Sequence, residues 1–385
     1  LSSRLRARRA LRLSLRIPFR PAASMGAQHW HYGGTSSSSQ SSYALAQQPK
    51  KSSEGVGGGL SNLGNTCFMN SVLQCLVHTT PFNTYLQRRQ HSPKCARKKS
   101  QFCTACALEE LVANTFTRRL PRWEPRSLAQ NLAFIAKDFR LGRQEDAHEF
   151  MRYLLDHLTR CLSQLVERPA NVGRYTFLQS WFQGSLQSQI RCLSCGGESN
   201  TFDPFLDLSL ELQPEGGAAG GACRSVGEAM RLFTQVEFLD GQNKYRCERC
   251  ERLVRARKQF LIAMPPRHLT VHLKRFSFGG GAAFGFGGGL GGAKISSHVA
   301  FDVMWDVSAY CAGGGRETVV YELYAVLVHE GGSTHSGHYY CYVRPCPPAG
   351  GARRERQWWM LNDGTVRQVS ERDVLNSSAY ILYYE

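Results

Sequence analysis

The sequence has 385 residues, 42% of them hydrophobic, and a formal net charge of +17 at pH 7. This length and hydrophobic content allow one large domain with a packed core, or two to three small ones. No run of eighteen apolar residues occurs, so the sequence predicts no membrane-spanning helix. Several of the 14 cysteines stand in C-x-x-C pairs and no secretory segment precedes them, which favours metal ligation in a reducing compartment over disulfides.

Residues 1–55 differ in composition from the rest of the chain. The first twenty are rich in arginine and contain no acidic residue, which is typical of a transit peptide or of a basic arm that binds nucleic acid. Because the chain starts with Leu1 and the first methionine is Met25, a non-native extension is a further alternative. The remainder is rich in Ser, Gln and Gly and lacks apolar periodicity. We therefore expect residues 1–55 to be disordered and residues 56–385 to fold.

Helices are predicted in the first half of the chain and strands in the second. Apolar residues at helical spacing predict helices over four stretches: 67–78, 107–119, 127–139 and 144–166. After Phe177 the pattern changes to short alternating strands, from "GSLQSQIRC" to the closing "AYILYYE". Helices followed by strands predict an α+β fold with a largely antiparallel sheet. The Gly-rich stretch 279–292 interrupts the strands and is expected to be a mobile surface loop.

The stretch "GLSNLGNTCFMNSVLQCL" contains a cysteine, Cys67, whose role is open among nucleophile, metal ligand and buried small hydrophobic residue. Turn residues precede it and Thr66 is a plausible helix cap, which puts the thiol in the first helical turn. There the helix dipole favours the thiolate, the form that attacks carbonyls. Asn62 has an amide that can donate to an oxyanion, and Gly64 would let the backbone approach a substrate. Cys75, further along the same helix, fits the buried role better.

A thiol nucleophile also needs an imidazole and a group that orients it. In "HEGGSTHSGHYYCYVR", His338 begins an alternating strand after a Gly- and Ser-rich loop, with His329 and His335 as rival histidines. In "WWMLNDGTV", either Asn362 or Asp363 is able to accept the imidazole N–H and fix its tautomer. The residue types alone leave these choices open.

Two cysteine pairs, Cys192-x2-Cys195 and Cys247-x2-Cys250, have the spacing of zinc knuckles, each of which presents two sulfurs on a tight turn. Four thiolates suit a tetrahedral structural Zn²⁺ with no open position for water. The pairs are further apart than in a compact zinc ribbon, which predicts a hairpin-like extension between them. A weaker cluster would either hold a second zinc ion or be incidental: His91, Cys95, Cys103 and Cys106.

Several stretches together resemble the boxes of one enzyme family, the ubiquitin-specific proteases, which are papain-like cysteine deubiquitinases. Between the Cys box quoted above and the His box "HEGGSTHSGHYYCYV" lie four further matches in the family's order: "FRLGRQEDAHEFMRYLLD", "GSLQSQIRCLSCGGESNTFDPFLDLSLEL", "YRCERC" and "LTVHLKRFSF". The resemblance runs from about Gly59 to Glu385. It implies a papain-like α+β catalytic domain with a helical thumb, a β-rich palm and zinc-tipped fingers at about residues 183–260.

By this resemblance Cys67 is the nucleophile, His338 is the general base and Asn362 is the third member of the triad. Asn62 matches the oxyanion-hole asparagine, and Asp363 matches an acidic neighbour that assists. A neutral amide stabilises an imidazolium less than a carboxylate does, so Asp363 is expected to share that load. The two cysteine pairs would bind zinc at the tip of the fingers, which grip ubiquitin.

The resemblance further implies that Gln144, Asp146 and Glu149 line a channel for the tail of ubiquitin, which carries arginines and ends in two glycines. Asp146 and Glu149 are three residues apart and so share one face of a helix. Without the resemblance, a solvated helix face is the simpler interpretation. The Gly-rich stretch 279–292 would border this channel as a mobile lid.

The expected activity is hydrolysis of the isopeptide or peptide bond after the C-terminal glycine of ubiquitin. We expect a monomeric catalytic domain that acts on ubiquitin conjugates in the nucleus or the cytoplasm. One alternative is an inactive ubiquitin-binding relative, which the complete set of catalytic residues disfavours. The other is a zinc-ribbon protein that binds nucleic acid, which would not explain the Cys and His boxes. No nucleic-acid partner is therefore expected.

Overall fold

The computed structural model describes eight stretches of the chain: residues 55–96, 101–163, 177–213, 222–276, 294–313, 317–333, 336–347 and 357–385. The lead predicted to be disordered lies outside them, apart from Gly55. The predicted Gly-rich loop, 279–292, also lies outside the described residues.

Helices and strands are numbered here in chain order. The described helices are α1 (Cys67–Val77), α2 (Thr80–Gln87), α3 (Thr104–Val112), α4 (Arg126–Gln130), α5 (Leu132–Ile135), α6 (Ala147–Ser163), α7 (Phe177–Phe182), α8 (Val226–Phe233) and α9 (Glu371–Leu375). The described strands are β1 (Gly59–Leu60), β2 (Arg122–Trp123), β3 (Gly184–Cys192), β4 (Glu198–Phe205), β5 (Leu208–Glu211), β6 (Glu237–Leu239), β7 (Tyr245–Cys247), β8 (Arg252–Val254), β9 (Ala256–Met264), β10 (Leu269–Lys274), β11 (Met304–Asp306), β12 (Val320–Ser333), β13 (Ser336–Val343), β14 (Trp358–Asn362), β15 (Thr365–Val369) and β16 (Ala379–Tyr384). None of these described helices is long and apolar enough to cross a membrane.

Helix α1 is buried along its whole length. The spacing of its apolar residues predicts a single buried stripe, but its polar residues Asn70, Ser71 and Gln74 are buried as well. The reason is its position, because α1 packs against α6 on one side and against β13 on the other. Cys75 is fully buried in this interior, as predicted, and burial followed by a hydrogen bond with Cys341 raises the pKa of its thiol. The helix that begins at Cys67 is therefore a rigid central element.

The largest sheet has the strand order β15-β14-β13-β12-β16-β10-β5, with β11 added beside β12. Among its described pairs, only β10 with β5 is parallel, so the predicted, largely antiparallel sheet is present. Both faces of this sheet are covered. In β13 the residues Tyr339 and Cys341 pack with the helices around α1, whereas Tyr340 and Tyr342 pack into a second core with α8. This alternation is the one that the sequence predicts.

A second sheet, with the strand order β4-β3-β9-β6, is accompanied by the separate hairpin β7–β8. One cysteine pair lies at the turn between β3 and β4, and the other at the turn between β7 and β8. The predicted extension between the pairs is therefore an antiparallel sheet together with a hairpin.

The short parallel pair of β1 and β2 fixes the segment that leads into α1. Gly59 approaches the turn after β14 so closely that an added Cβ atom would lie 2.5 Å from the backbone of Gly364. The Leu60 N–H donates to the carbonyl of Asp363 at 2.8 Å. The segment that leads to Cys67 is thereby docked on the β14–β15 hairpin, whose turn carries Asp363.

Candidate active site

Cys67 is the first residue of α1 and is 3% exposed. The loop before it folds around the side chain of Asn62, whose Oδ1 accepts hydrogen bonds from the N–H groups of Gly64 and Thr66, each at 3.1 Å. Thr66 occupies the predicted cap position, but its hydroxyl accepts from the Leu63 N–H and makes no bond to the helix. The amide of Asn62 is thus held by the backbone of the loop that leads into Cys67.

Asp363 lies between two asparagine side chains. Its Oδ2 accepts from Asn62 Nδ2 at 3.0 Å, and its Oδ1 accepts from Asn70 Nδ2 at 2.8 Å. Its φ of 45° is in the left-handed region, which residues with a side chain seldom adopt. The Asn62 amide nitrogen carries two hydrogens, so one binds Asp363 and the other is available to a further acceptor. Sequence reasoning does not identify Asn70, although a polar residue in an apolar helix was a usable signal.

His338 connects the thiol of Cys67 to Asn362. Its Nε2 lies 2.7 Å from Asn362 Oδ1, which can only accept, so Nε2 donates and Nδ1 is the nitrogen left for the thiol. The hydrogen bond with Cys67 raises the pKa of His338 to about 9, helped by the bond to Asn362 and the charge of Asp363, while partial burial opposes the shift. A protonated imidazole beside the sulfur is therefore favoured at neutral pH.

The rival histidine His329 has a different environment. It is buried, and Lys294 Nζ donates to its Nδ1 at 3.0 Å and to its backbone carbonyl at 2.8 Å. Burial, followed by the charges of Lys294 and His338, lowers the pKa of His329 to about 4. His329 is thus a neutral core residue at neutral pH. The other rival, His335, lies outside the described residues.

Comparison with known proteins identifies the family of the chain. Residues 58–384 match the family model described as ubiquitin carboxyl-terminal hydrolase. The chain belongs to this family. It is 40% identical to ubiquitin carboxyl-terminal hydrolase 23 of Arabidopsis thaliana over 332 residues, which cover 86% of this chain and 35% of the relative. It is 35% identical to ubiquitin carboxyl-terminal hydrolase 17-like protein 6 of Homo sapiens over 330 residues, which cover 86% of this chain and 74% of that relative.

Solved structures of the family have the same fold. The SAGA Ubp8/Sgf11/Sus1/Sgf73 DUB module bound to ubiquitin aldehyde is 27% identical, with a TM-score of 0.72 over 88% of this chain and 71% of that one. The predicted papain-like α+β fold of the ubiquitin-specific proteases is thereby confirmed. In its terms, α1–α7 form the thumb, the largest sheet forms the palm, and β3, β4 and β6–β9 form the fingers. The chain spans between 23% and 47% of the length of the first curated relatives that it matches.

Gln144, expected in the substrate channel of this family, contacts the palm. Its Nε2 donates to the carbonyl of Gly337 at 3.0 Å, and its Oε1 accepts from the Gly337 N–H at 3.0 Å. Gly337 is the residue before His338. Gln144 thus binds the backbone next to the imidazole, a contact that its sequence context does not indicate.

Asp146 and Glu149, the two acids expected in the channel, have different contacts. Asp146 caps α6, because its Oδ1 accepts from the Glu149 N–H at 2.8 Å, and its other carboxylate oxygen accepts from the hydroxyl of Tyr380. The side chain of Glu149 is exposed and faces a cleft of about 690 Å³ that Asp156 and Asp207 also line. Burial, then the charges of nearby carboxylates with Asp146 first, raise the pKa of Glu149. Arg152, which also lines the cleft, opposes this shift.

His148, Asp207 and His272 form a cluster, of which Asp207 lines this cleft. His148 Nε2 lies 2.9 Å from Asp207 Oδ2, and the imidazoles of His148 and His272 stack with centroids 3.7 Å apart and planes inclined by 10°. The lone pairs of two stacked rings lie in nearly parallel planes, so they do not converge on one ion. The arrangement suits packing rather than metal ligation.

The four finger cysteines converge at the ends of their two hairpins. Cys192 Sγ is 3.8 Å from Cys250 Sγ, and Cys195 Sγ is 3.7 Å from Cys247 Sγ. A tetrahedral ion with metal–sulfur bonds of about 2.3 Å requires sulfurs about 3.8 Å apart, so this donor set fits Zn²⁺. The N–H groups of Cys195 and Ser194 donate to Cys192 Sγ and lower the pKa of that thiol to about 6, although desolvation opposes the shift.

The weaker Cys/His cluster is also assembled in the thumb. The potential ligand atoms of its four residues all lie within 4.8 Å of one another: His91, Cys95, Cys103 and Cys106. His91 Nε2 is 3.1 Å from Cys103 Sγ. The buried carboxylate of Glu109 accepts from the N–H groups of His91 and Ser92 at 2.8 and 2.9 Å, which fixes the turn that presents the imidazole. These residues are therefore able to hold a metal ion.

Proposed function

We propose that this chain is a thiol-dependent deubiquitinase, which hydrolyses the isopeptide or peptide bond at the C-terminal glycine of ubiquitin and so removes ubiquitin from protein conjugates. The observation that carries the proposal is the place of His338 between Asn362 and Cys67: its Nε2 lies 2.7 Å from Asn362 Oδ1, and the Cys67 thiol raises the pKa of its imidazole. The related module bound to ubiquitin aldehyde supports the same substrate class.

The reaction begins with proton transfer from Cys67 to Nδ1 of His338. Asn362 accepts from Nε2, which keeps the ring oriented and stabilises the imidazolium. The thiolate attacks the carbonyl carbon of the terminal glycine, and negative charge develops on the carbonyl oxygen. The donors we propose for that oxygen are the second N–H of Asn62 and the backbone N–H of Cys67, because both belong to the segment that leads into the nucleophile.

Collapse of this intermediate releases the substrate amine, which takes the proton from His338. A thioester between Cys67 and the ubiquitin glycine remains. Neutral His338 then removes a proton from water, the resulting hydroxide attacks the thioester, and the thiolate leaves. Asp363 serves this cycle from the nucleophile side, since its carboxylate orients Asn62 and its charge favours protonated His338.

The cleft beside α6 is the site we propose for the ubiquitin tail. Its exposed acid, Glu149, is suited to an arginine of the tail, since a guanidinium would relieve the repulsion among the neighbouring carboxylates. Asp146 acts there mainly by capping α6 and so fixing the position of Glu149.

We also propose structural Zn²⁺ at both cysteine clusters. In the fingers, Cys192, Cys195, Cys247 and Cys250 would bind one ion and hold the two hairpins together. In the thumb, four residues would bind a second ion: His91, Cys95, Cys103 and Cys106. Each set has four protein ligands, so the metal would supply stability and no chemistry at Cys67.

One assay tests the function directly. Purified chain is mixed with ubiquitin whose C-terminal carboxylate carries a fluorogenic amine, and release of the amine is followed for wild type, Cys67→Ala and Cys311→Ser. Cys311, a partly buried palm thiol, is the control for loss of a cysteine. We expect release by wild type and Cys311→Ser and none by Cys67→Ala. Ubiquitin binding without release by wild type would instead indicate an inactive ubiquitin-binding protein.

A further inference from the structure

The segment that precedes α6 touches both halves of the catalytic site. At one end, the Gly142 N–H donates to the carbonyl of Gly64 at 3.2 Å, and its own carbonyl accepts from Asn65 Nδ2 at 2.7 Å. Both partners belong to the loop that leads to Cys67. Two residues further on, Gln144 makes its paired hydrogen bonds with the palm. A few residues of the thumb therefore span the distance from the nucleophile loop to the strand of the base.

In the palm, Gln144 binds the backbone of Gly337, which has no partner residue in the β12–β13 ladder. The register between β12 and β13 shifts between Glu330 and Ser333, and the ladder passes from the pair of Glu330 with His338 to that of Ser333 with Ser336. Gly337 falls in this irregularity and has no paired residue across the ladder. Gln144 supplies the missing donor and acceptor, because a primary amide presents both groups in the geometry of a peptide.

If the bonds to Gln144 were lost, the backbone of Gly337 could not move toward the palm to replace them. An added Cβ atom there would lie 2.3 Å from His329 Nε2 and 2.4 Å from the carbonyl of Glu330. His329 is itself held by Lys294. The backbone of Gly337 is thus confined between the buried imidazole on one side and Gln144 on the other, and the next residue along the chain is His338.

We infer that Gln144 is a positioning residue: by pairing with the backbone of Gly337 it sets the position of the His338 imidazole relative to Cys67. The inference rests on the proposed function and changes the role expected for Gln144, from contact with the ubiquitin tail to alignment of the base. The same segment begins α6, where Glu149 faces the proposed tail site. Alignment of the base and engagement of the tail are therefore linked through one short stretch of chain.

The test compares Gln144→Ala, Gln144→Glu and Asn131→Ala. Asn131 is the matched control, since its side-chain amide also donates to a backbone carbonyl, that of Ser127 at 2.8 Å, and this bond involves no residue of the site. For each variant, kcat and KM are measured with the fluorogenic ubiquitin substrate between about pH 5 and pH 8, a range that approaches the pKa of a glutamate. Ubiquitin affinity is measured separately with the same variants in a Cys67→Ala background, and the melting temperature of each is recorded.

For Gln144→Ala we expect kcat to fall about 10- to 100-fold, because small displacements of a catalytic group have effects of this size. Ubiquitin affinity should remain within about twofold of the parent, as for a residue that does not touch substrate. Asn131→Ala should match wild type in both. If KM and affinity change while kcat does not, Gln144 contacts the tail and the inference is wrong. An unchanged kcat and affinity would equally overturn it.

Gln144→Glu gives a second readout that holds even if the alanine variant folds poorly. An ionised carboxylate accepts from the Gly337 N–H but repels the Gly337 carbonyl, whereas the protonated acid donates to that carbonyl as glutamine does. The ratio of variant to wild-type kcat should therefore rise as the pH falls from 8 to 5, toward the ordinary pKa of a glutamate of about 4.3. A ratio that does not change with pH would contradict the inference. Absence of activity in wild type would refute the proposed function instead, and is distinguishable from both.

Discussion

At His338, the choice of a neutral amide as hydrogen-bond acceptor sets how firmly the imidazole holds its proton. The reactive thiolate–imidazolium pair needs that proton, and the hydrogen bond with Cys67 raises the pKa of His338 to about 9. We therefore expect kcat/KM to fall as the pH rises through about 9. In Asn362→Asp this fall should move to higher pH, because a carboxylate stabilises the imidazolium more than an amide does. The pH dependence of kcat/KM on the ubiquitin reporter measures the shift.

Asn362→Ala is the companion variant, since it removes the acceptor without adding charge. It should lower kcat about 10- to 100-fold and should not move the alkaline fall upward. If kcat/KM falls at the same alkaline pH in wild type and in Asn362→Asp, residue 362 does not act on the imidazole.

Arg275 is a second residue whose environment predicts a measurable effect, this time on stability. It is fully buried, and its guanidinium donates to the carbonyls of Ala379, Ile295 and Ser297 at 2.6, 2.9 and 2.8 Å. Burial lowers the pKa of Arg275 to about 10, which still leaves the group charged. Arg275→Lys cannot reach the three carbonyls with the same fork, so it should lower the free energy of unfolding by about 3 kcal/mol.

Urea unfolding followed by tryptophan fluorescence measures this change for Arg275→Lys. The control is Arg160→Lys, an exposed arginine paired with Asp156 on α6, for which a change below about 0.5 kcal/mol is expected. Equal effects of the two substitutions would mean that the three buried carbonyls find other donors.

Among the elements, the first turn of α6 carries the proposed electrostatic contact with substrate. Glu149→Gln should raise KM about threefold to tenfold and leave kcat within about twofold, because it removes a charge that attracts the tail but moves no catalytic group. The difference from wild type should shrink at high salt. Glu124→Gln, which removes an exposed carboxylate paired with Arg126, is the control. A fall in kcat for Glu149→Gln would instead tie α6 to alignment of the site.

The two cysteine clusters make separate predictions about metal content. Mass spectrometry of the metal-loaded protein should find two zinc ions per chain, and either Cys195→Ser or Cys106→Ser should remove one of them. Cys311→Ser should remove none. Loss of the finger ion should destabilise the fingers, since the metal joins two hairpins that have only a small core of their own. If wild type binds one zinc ion and Cys106→Ser still binds it, the thumb cluster contributes packing and no metal site.

Elements with clear periodicity could be predicted from the sequence, and those without it could not. The strand from "GSLQSQIRC" is predicted with the bounds that β3 has, and the alternation after His338 matches the two faces of β13. Strand β4 is not predicted, because most of its residues are exposed and polar on both faces. The predicted helix over 127–139 is instead α4 and α5, interrupted at Asn131. The bond between Gln144 and Gly337 joins residues 193 apart in sequence, and no local pattern reports such a pair.

For the whole molecule, the site depends on docking between parts of the chain that are distant in sequence. Cys67 comes from the thumb and His338 from the palm, and the packing of α1 on β13 brings them together. The residues of the site could be proposed from the sequence, because their motifs resemble those of a known family. The contacts that hold these residues could not be predicted from the sequence. Asp363 binds Asn62 and Asn70 only because the β14–β15 turn lies against the nucleophile loop. That meeting is a property of the tertiary fold.

The start of the folded domain can be tested by truncation, because β1 is the first strand among the described residues and docks beside Asp363. A chain that begins at residue 51 retains Gly55, whose carbonyl accepts from the Cys346 N–H at 2.8 Å, and Leu60, which binds Asp363. Its kcat/KM should lie within about twofold of the full chain. A chain that begins at Asn62 lacks β1, so Asp363 loses the bond from Leu60 and the left-handed turn loses its support. We expect at least about a tenfold loss of kcat/KM and a lower melting temperature in the shorter chain. Equal activity of the two truncated chains would show that β1 does not position the nucleophile loop, and inactivity of the longer one would give residues 1–50 a part in the site.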